Sequence, residues 1–311
     1  MSADAVTGRR RNRWYERPWL HLVLGLVVAA LAVFWAGQRG TNGVRADLDL
    51  RLRNAGAGAD AALVTLEAEH LSALRAITFT AGVGRALAQG DPRTLNRLVA
   101  PLQANSNVPM VDVILPDGRV ELAVRSKGAP APVASRAGMP AIRQAMREAR
   151  GNRGGRFTEL VIFRAGPTIV TVGPLMYASK PVGVVLVMTP LADALGRLSQ
   201  EVGADLTAYT IGGVPIATTA QFQPANVDAD VARSLIAGAA ISMRYVHGDE
   251  REALGRLILD HQADAVLGAS APDDSPATGR AVRLFAALGL IGAVLIFSSF
   301  WVRIANRRWP T

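Results

Sequence analysis

The run Leu284 to Val302, LFAALGLIGAVLIFSSFWV, holds nineteen residues without a charge. At about 1.5 Å rise per residue such a helix spans roughly 28 Å, close to the hydrocarbon thickness of a bilayer, and it has no polar face to turn to water. It predicts a transmembrane helix. Arg283 abuts one end, and Arg303, Arg307, Arg308 and Trp309 abut the other, where cations reach headgroups and the indole sits at the interface. A second run, Trp19 to Gly37 (WLHLVLGLVVAALAVFWAG), has no charge beyond whatever His21 carries. It is long for a secretory signal, and its exit, AVFWAGQRG, lacks a clean small-x-small cleavage pair, so it reads as an uncleaved anchor. Two spans, 19–37 and 284–302, then bracket about 245 residues.

The flanks set the orientation. Residues 1–18 hold five arginines (Arg9, Arg10, Arg11, Arg13, Arg17) against Asp4 and Glu16, and residues 303–311 hold three arginines and no acid. By the positive-inside bias both ends are cytoplasmic, and the body between the spans lies outside the inner membrane. The same ends explain the charge: eight arginines less two acids give +6 of the net +9, leaving about +3 for the body. Thirty-two of the 34 basic residues are arginine, with no basic stripe interleaved with aromatics, so nucleic acid is not an expected partner. The chain has no cysteine, which excludes disulfides and thiolate metal sites.

The external part opens on a helical signal. From Val44 to Gln89 there is no proline, and Leu48, Leu52, Ala55, Ala59, Ala62, Leu66, Ala73 and Ile77 form one stripe of period near 3.5. A continuous helix there is about 65–70 Å long; it serves as a stalk pairing with a second copy, or lies along its own domain, on different faces. Gly56 and Gly58 each cost it roughly 1 kcal/mol and mark where it would break. After Gly90-Asp91-Pro92 the pattern changes to period two. Met110–Leu115 and Arg119–Arg125 form a hairpin over Pro116-Asp117-Gly118, with Val111, Val113, Leu115, Val120, Leu122 and Val124 on one face and Asp112, Arg119 and Glu121 on the other. A loose stretch through Arg136 leads to a helix with Met139, Ile142, Ala145, Met146 and Ala149 on one face. Three strands follow (Phe157–Arg164, Thr168–Leu175, Val182–Thr189), and a helix from Pro190 to Val202 closes the unit.

The next segment repeats the start. Aligning Gly118 with Gly213 places VDVILPDGRVELAV over LTAYTIGGVPIATT, strand, glycine turn and strand in both. The continuation reads as a helix (Ala229–Ala237), a strand (Ala240–Val246), a helix (Glu250–Leu257) and a strand (Ala263–Ala269).

With its span, long helix, D-G hairpin, helix and final hairpin GPLMYASKPVGVVLVMTPLADAL, the chain resembles the double Cache sensor domains of bacterial membrane receptors, over roughly Val44 to Ala271. The resemblance implies an α+β fold of two tandem PAS-like antiparallel-sheet modules on a long N-terminal helix, flanked by two transmembrane helices. It implies a stalk over 38–62, a membrane-distal module over 63–202 that holds the small-molecule pocket, and a membrane-proximal module over 203–280. Arg307-Arg308-Trp309-Pro310 looks like the start of a HAMP linker. No kinase, cyclase, phosphodiesterase or methyl-accepting segment follows, so this is the sensory piece of a longer receptor, or its output is on a partner chain. The competing reading is a membrane-anchored scaffold that binds another protein and signals nothing.

No catalytic constellation competes with sensing. His21 lies at the membrane boundary, and His70, beside Glu69 on the long helix, reads as a surface or interface residue. His247-Gly-Asp249 and His261-x-x-Asp264 each lack a third ligand, so no metal or cofactor is expected. Ser270 lacks a G-x-S-x-G elbow, and Gly151–Gly155 does not sit between strand and helix. The segment Arg119–Arg164 instead carries ten basic residues against three acids, in the region that walls the distal pocket of the resembling family. Arginine's planar fork suits carboxylate or phosphate, which makes a small anion the candidate ligand; the competing reading is that most of these arginines are solvated faces of an arginine-rich chain. Arg125, Arg136 and Arg143 are the expected anion contacts, and Phe157, Thr171 and Tyr177 the expected packing and hydroxyl contacts. The amino-acid-binding members carry aromatics just after the loop arginine; Arg136-Ala-Gly-Met-Pro does not, so an ordinary amino acid is not the ligand this loop predicts.

Overall fold

The computed structural model describes residues 18–151, 155–246, 250–260, 262–289 and 291, with side chains from Gly25 onward. The expected N-terminal tail, most of the second apolar run, the C-terminal tail, and His247, Asp249 and His261 lie outside these residues. The chain divides into two units, residues 49–272 and the two ends that flank them.

In the flanking unit, the start of helix α1 (Pro18–Phe79) lies beside a helix over residues 275–289. The two approach closely through small residues: a Cβ on Gly37 would meet the Arg283 side chain, and one on Gly279 would meet Thr41. Asp273 caps the second helix, its Oδ1 accepting from the Ser275 N–H at 2.9 Å, and Arg45 Nε donates to Ser275 Oγ at 2.9 Å. Leu26, Val27, Val28, Leu31, Phe34 and Trp35 on one helix are exposed, as are Leu284, Phe285, Leu288 and Ile291 on the other. Among the described residues, no helix is long and apolar enough to cross a membrane.

The body is organised by the rest of α1. Of the predicted stripe, Leu52, Ala55, Ala59, Ala62, Leu66, Ala73 and Ile77 are buried within this chain, and only Leu48 is half-exposed. That face of the helix lies on its own domain. Gly56 and Gly58 do not break it. The helix stops at Phe79, short of the expected Gln89, because Gly82 turns the backbone left-handed (φ 96°) before helix α2 (Val83–Ala88). Helix α3 (Pro92–Ala104) starts with Asp91 Oδ1 accepting from the Thr94 N–H, and with proline at its first position.

Two five-stranded antiparallel sheets follow. The first is built from β1 (Met110–Ile114), β2 (Val120–Arg125), β3 (Phe157–Phe163), β4 (Gly166–Tyr177) and β5 (Lys180–Pro190), in the order β2-β1-β5-β4-β3. The second, β6 (Asp205–Tyr209), β7 (Pro215–Thr218), β8 (Ser242–Tyr245), β9 (Glu250–Leu259) and β10 (Gln262–Pro272), has the corresponding order β7-β6-β10-β9-β8. The offset seen in sequence is an offset in structure. Gly118 and Gly213 both have positive φ (87° and 81°), and each carbonyl accepts at 2.8 Å from a returning chain, from Arg136 N in one case and Val227 N in the other. A Cβ at either would strike that returning backbone.

Two expectations are corrected. The segment Glu250–Leu257 is a strand, not a helix: its helix-favouring glutamates and leucines pair residue for residue with β10, and tertiary pairing overrides local propensity. Val120 does not share a face with Val111 and Val113. An irregularity between Val113 and Ile114 shifts the register, so Val120 pairs with Ile114 and faces the opposite core.

The first sheet is covered on both faces. On one, Val111, Val113, Leu175, Val185 and Val187 pack under Leu74 and Ile77 of α1 and under α2 and α3. On the other, Met110, Ile114, Val170, Val172, Val184, Leu186 and Met188 pack under Ile142, Ala145 and Met146 of helix α4 (Pro140–Arg150). Each such large apolar side chain contributes about 1.5–3 kcal/mol by leaving water. Helix α5 (Leu191–Val202) joins the sheets through a core shared by Ile169, Leu195, Leu206 and Leu267, and helix α6 (Ala229–Ile236) packs on the second sheet.

Candidate functional site

The α4 face of the first sheet holds the one feature that an apolar core does not need. Asp112 sits mid-strand on β1, between Ala123 and Leu186 in register, and points with Met110 and Ile114 toward α4. Its carboxylate is fully buried. Two guanidiniums reach it. Arg125, at the end of β2 and diagonal to Asp112, places Nη2 2.5 Å from Oδ1. Arg136, in the loop over residues 126–138, places Nε 3.1 Å and Nη2 3.0 Å from Oδ2. The arginine side chains are only 12% and 9% exposed. One carboxylate therefore faces two cations, and the cluster keeps a positive charge out of water.

Backbone geometry fixes each member. Arg125 Nη1 donates to the carbonyls of Val111 (3.1 Å) and Val124 (2.9 Å), and its Nε donates to Pro130 O at 3.3 Å, which ties the loop to the strand end. Arg136 stacks its guanidinium 4.2 Å from the centre of the Phe163 ring. The Arg125–Asp112 contact is close, yet Nη2 and Oδ1 make no aligned hydrogen bond to any partner. Charge attraction does not require alignment, so the pair attracts while its directional bonding goes unmet. Two nearly buried guanidiniums thus share one carboxylate, and the charge of one of them has no anionic counterpart within the cluster.

The other expected contacts are dispersed. Arg143 is exposed on α4, and its Nη1 donates to Ala137 O at 3.3 Å, bracing the end of the loop. Phe157 is half-buried against the α4 core, on the same face as the arginine cluster. Thr171 lies on the opposite face, fully buried. Tyr177 is 39% exposed and lines a cleft near the end of α1.

Thr171 belongs to a polar cluster that sequence reasoning missed. His70, expected at a surface or interface, is completely buried under the sheet. Its Nδ1 lies 3.0 Å from Thr171 Oγ1 and its Nε2 2.8 Å from Thr189 Oγ1, and Thr171 in turn meets Thr158 Oγ1 at 3.0 Å. Burial, with a smaller contribution from the Arg197 charge, lowers the imidazole pKa from 6.5 to about 4. A charge on a neighbouring helical residue, Glu69, suggested a wet site; the 3.5-residue period of α1 turns the next position inward.

The second module has its own buried acid. Glu252 accepts from Tyr209 Oη at 2.6 Å and from Arg244 Nε at 2.7 Å, while Arg244 Nη1 and Nη2 donate to the carbonyls of Asn226 and Ala225. Here one cation meets one anion, and burial pushes the Glu252 carboxyl up from its usual range. Among the described residues no group of three or more histidines and carboxylates could hold a metal.

No protein-family model matches the sequence, and no curated protein matches it. Solved structures do. The sensor domain of the Vibrio cholerae histidine kinase DctB matches with a TM-score of 0.52 at 10% identity, over 74% of this chain and 98% of that one. The extracellular domain of vpHK1S-Z8, described as a histidine kinase, matches with a TM-score of 0.52 at 11% identity, over 75% of this chain and 96% of that one. The α+β fold expected from the resemblance to double Cache domains, two PAS-like sheets on one long helix, is the fold this chain shares with these sensor domains.

Proposed function

We propose that the chain is the extracytoplasmic sensory module of a transmembrane receptor, and that its first sheet takes a small anion between Arg125 and Arg136. The buried cluster with one carboxylate for two guanidiniums is the observation that carries this reading. The module is anchored by spans at 19–37 and 284–302, with both ends cytoplasmic and the body outside. The exposed apolar side chains on the two flanking helices favour that placement, because water does not tolerate such a surface cheaply and lipid does. The output lies on a further segment or a partner, and a second copy pairs through the α1 face left free by the buried stripe.

Ligand alters the balance between two arrangements only if it binds them unequally. In the arrangement seen, Asp112 occupies both arginines and the 126–138 loop is fastened over the sheet. An anion that takes Arg136 competes with Asp112 and moves the loop and α4 relative to the strands. Arg143, bracing the loop from α4, is a positioning residue.

The test is thermal unfolding of the full chain in lipid nanodiscs against succinate, citrate and inorganic phosphate. One of these is expected to stabilise the protein in a dose-dependent way, by about 2.7 kcal/mol at a hundredfold excess over its dissociation constant. Arg136→Gln should abolish the response and Arg143→Gln should leave most of it. A response unchanged in Arg136→Gln, or none to any carboxylate or phosphate, contradicts the proposal.

A further inference from the structure

A second concavity lies on a different part of the first module and shares no residue with the arginine cluster. Among the described residues β3 pairs with β4 only as far as Phe157 opposite Val172, so from Gly173 to Tyr177 β4 is paired with β5 on one side and has a free edge on the other. Beside that free edge the end of α1, the start of α2 and Arg156 enclose a cleft of about 640 Å³. That volume is within the range of small-molecule sites.

Its lining is unusual in three respects. Among the described residues none of its lining is acidic, and two are arginines, Arg85 and Arg156. Among the described residues neither has a carboxylate partner; Arg156 instead places its guanidinium 6.0 Å from the centre of the Phe79 ring. Phe79 itself is 75% exposed, a full aromatic ring left in water at the cleft wall, with Met176 and Tyr177 also partly exposed there. Gly84 and Gly173 also line it and let the elements around it pack closely, since a Cβ would strike Met176 O and the Leu74 side chain respectively. The cleft thus sets an exposed apolar wall beside two guanidiniums that no described carboxylate pairs.

We infer that this cleft binds a small carboxylate with a flat apolar body. The ring of the ligand covers Phe79 and Met176, and its carboxylate takes Arg156, with Arg85 adding charge from α2; planar guanidinium and planar carboxylate meet by two parallel hydrogen bonds. A bare inorganic anion gains only the exposed-charge attraction, which solvent largely screens, so the apolar body is what makes the site. A ligand seated there would join the last residue of α1 to β4.

Benzoate is the probe, measured by calorimetry on the full chain in nanodiscs, with inorganic phosphate as the comparison. Phe79→Ser and Arg156→Gln change exposed side chains, so unfolding temperatures close to wild type will show that both variants are folded. Each is expected to weaken benzoate by about tenfold or more, and Arg136→Gln is expected not to, which separates this cleft from the arginine cluster. Failure of benzoate to bind the wild type overturns the inference, as does wild-type affinity in both cleft variants. Phosphate binding as tightly as benzoate and surviving Phe79→Ser overturns it as well.

Discussion

Asp112→Ala should destabilise the protein by about 3–5 kcal/mol, the cost of leaving buried charge without its partner. The substitution removes a carboxylate that is fully buried and strands Arg125 and Arg136, which are themselves nearly buried, with two like charges facing each other. Lost packing alone would cost far less, since the side chain is short. The two origins separate in a combined variant, Asp112→Ala with Arg125→Met and Arg136→Leu, which removes all three charges and keeps apolar volume. Its stability, read from denaturant unfolding, should recover most of the loss, because an apolar replacement of a buried ion cluster is often neutral or stabilising. A combined variant as unstable as the single one would show that the carboxylate matters for shape rather than charge.

Acidification should weaken the fold through His70. Its folded pKa, lowered from 6.5 to about 4, lies below the unfolded value, so between those pH values the unfolded chain binds the extra proton. Stability from the neutral imidazole is complete above pH 6.5, falls as pH drops toward 4, and is flat below that, a loss of about 3 kcal/mol in all at 1.36 kcal/mol per unit. The surrounding groups do not rescue the charged form: Thr158, Thr171 and Thr189 are neutral, and Arg197 repels it, although Glu69 pairs with Arg197 at 3.3 Å. Asp60 works in the opposite sense. Burial raises its carboxyl to about 6, so it favours the fold as pH falls. The measurement is therefore the difference between two profiles, wild type and His70→Gln, by urea unfolding from pH 7.5 to about 4. The variant should be less stable at neutral pH and lack the step. Parallel profiles would remove His70 as the acid-sensitive group.

Much of the architecture was legible because it rests on periodicity. The stripe from Leu52 to Ile77, the Pro-Asp-Gly hairpin, the α4 face and the offset between Gly118 and Gly213 all record which side of an element meets apolar neighbours. What escaped depended on contacts between distant segments. Glu250 to Leu257 satisfies a helix locally and becomes a strand because β10 and β8 supply its partners. Alternation puts Asp112 on the hairpin face with Arg119 and Glu121 without saying what covers it, whereas α4 covers that face and turns the acid into the centre of the cluster. The arginines at 125 and 136 were singled out by charge density. That they converge while Arg143 does not depends on a loop conformation that no local pattern encodes. Thr171 lies on the face that α1 covers, opposite the arginines, and alternation gives two faces without saying which one α1 occupies.

A receptor of this kind requires a body that faces outward between two lipid-buried ends, and the chain's lack of cysteine makes that directly measurable. Single substitutions Ser2→Cys, Gln223→Cys and Thr311→Cys, each made in the full chain, are labelled with a membrane-impermeant maleimide in intact spheroplasts and again after detergent. The prediction is labelling of the exposed position 223 in intact spheroplasts, with positions 2 and 311 reacting only once the membrane is opened. The reverse pattern, or equal labelling of all three before detergent, would contradict it.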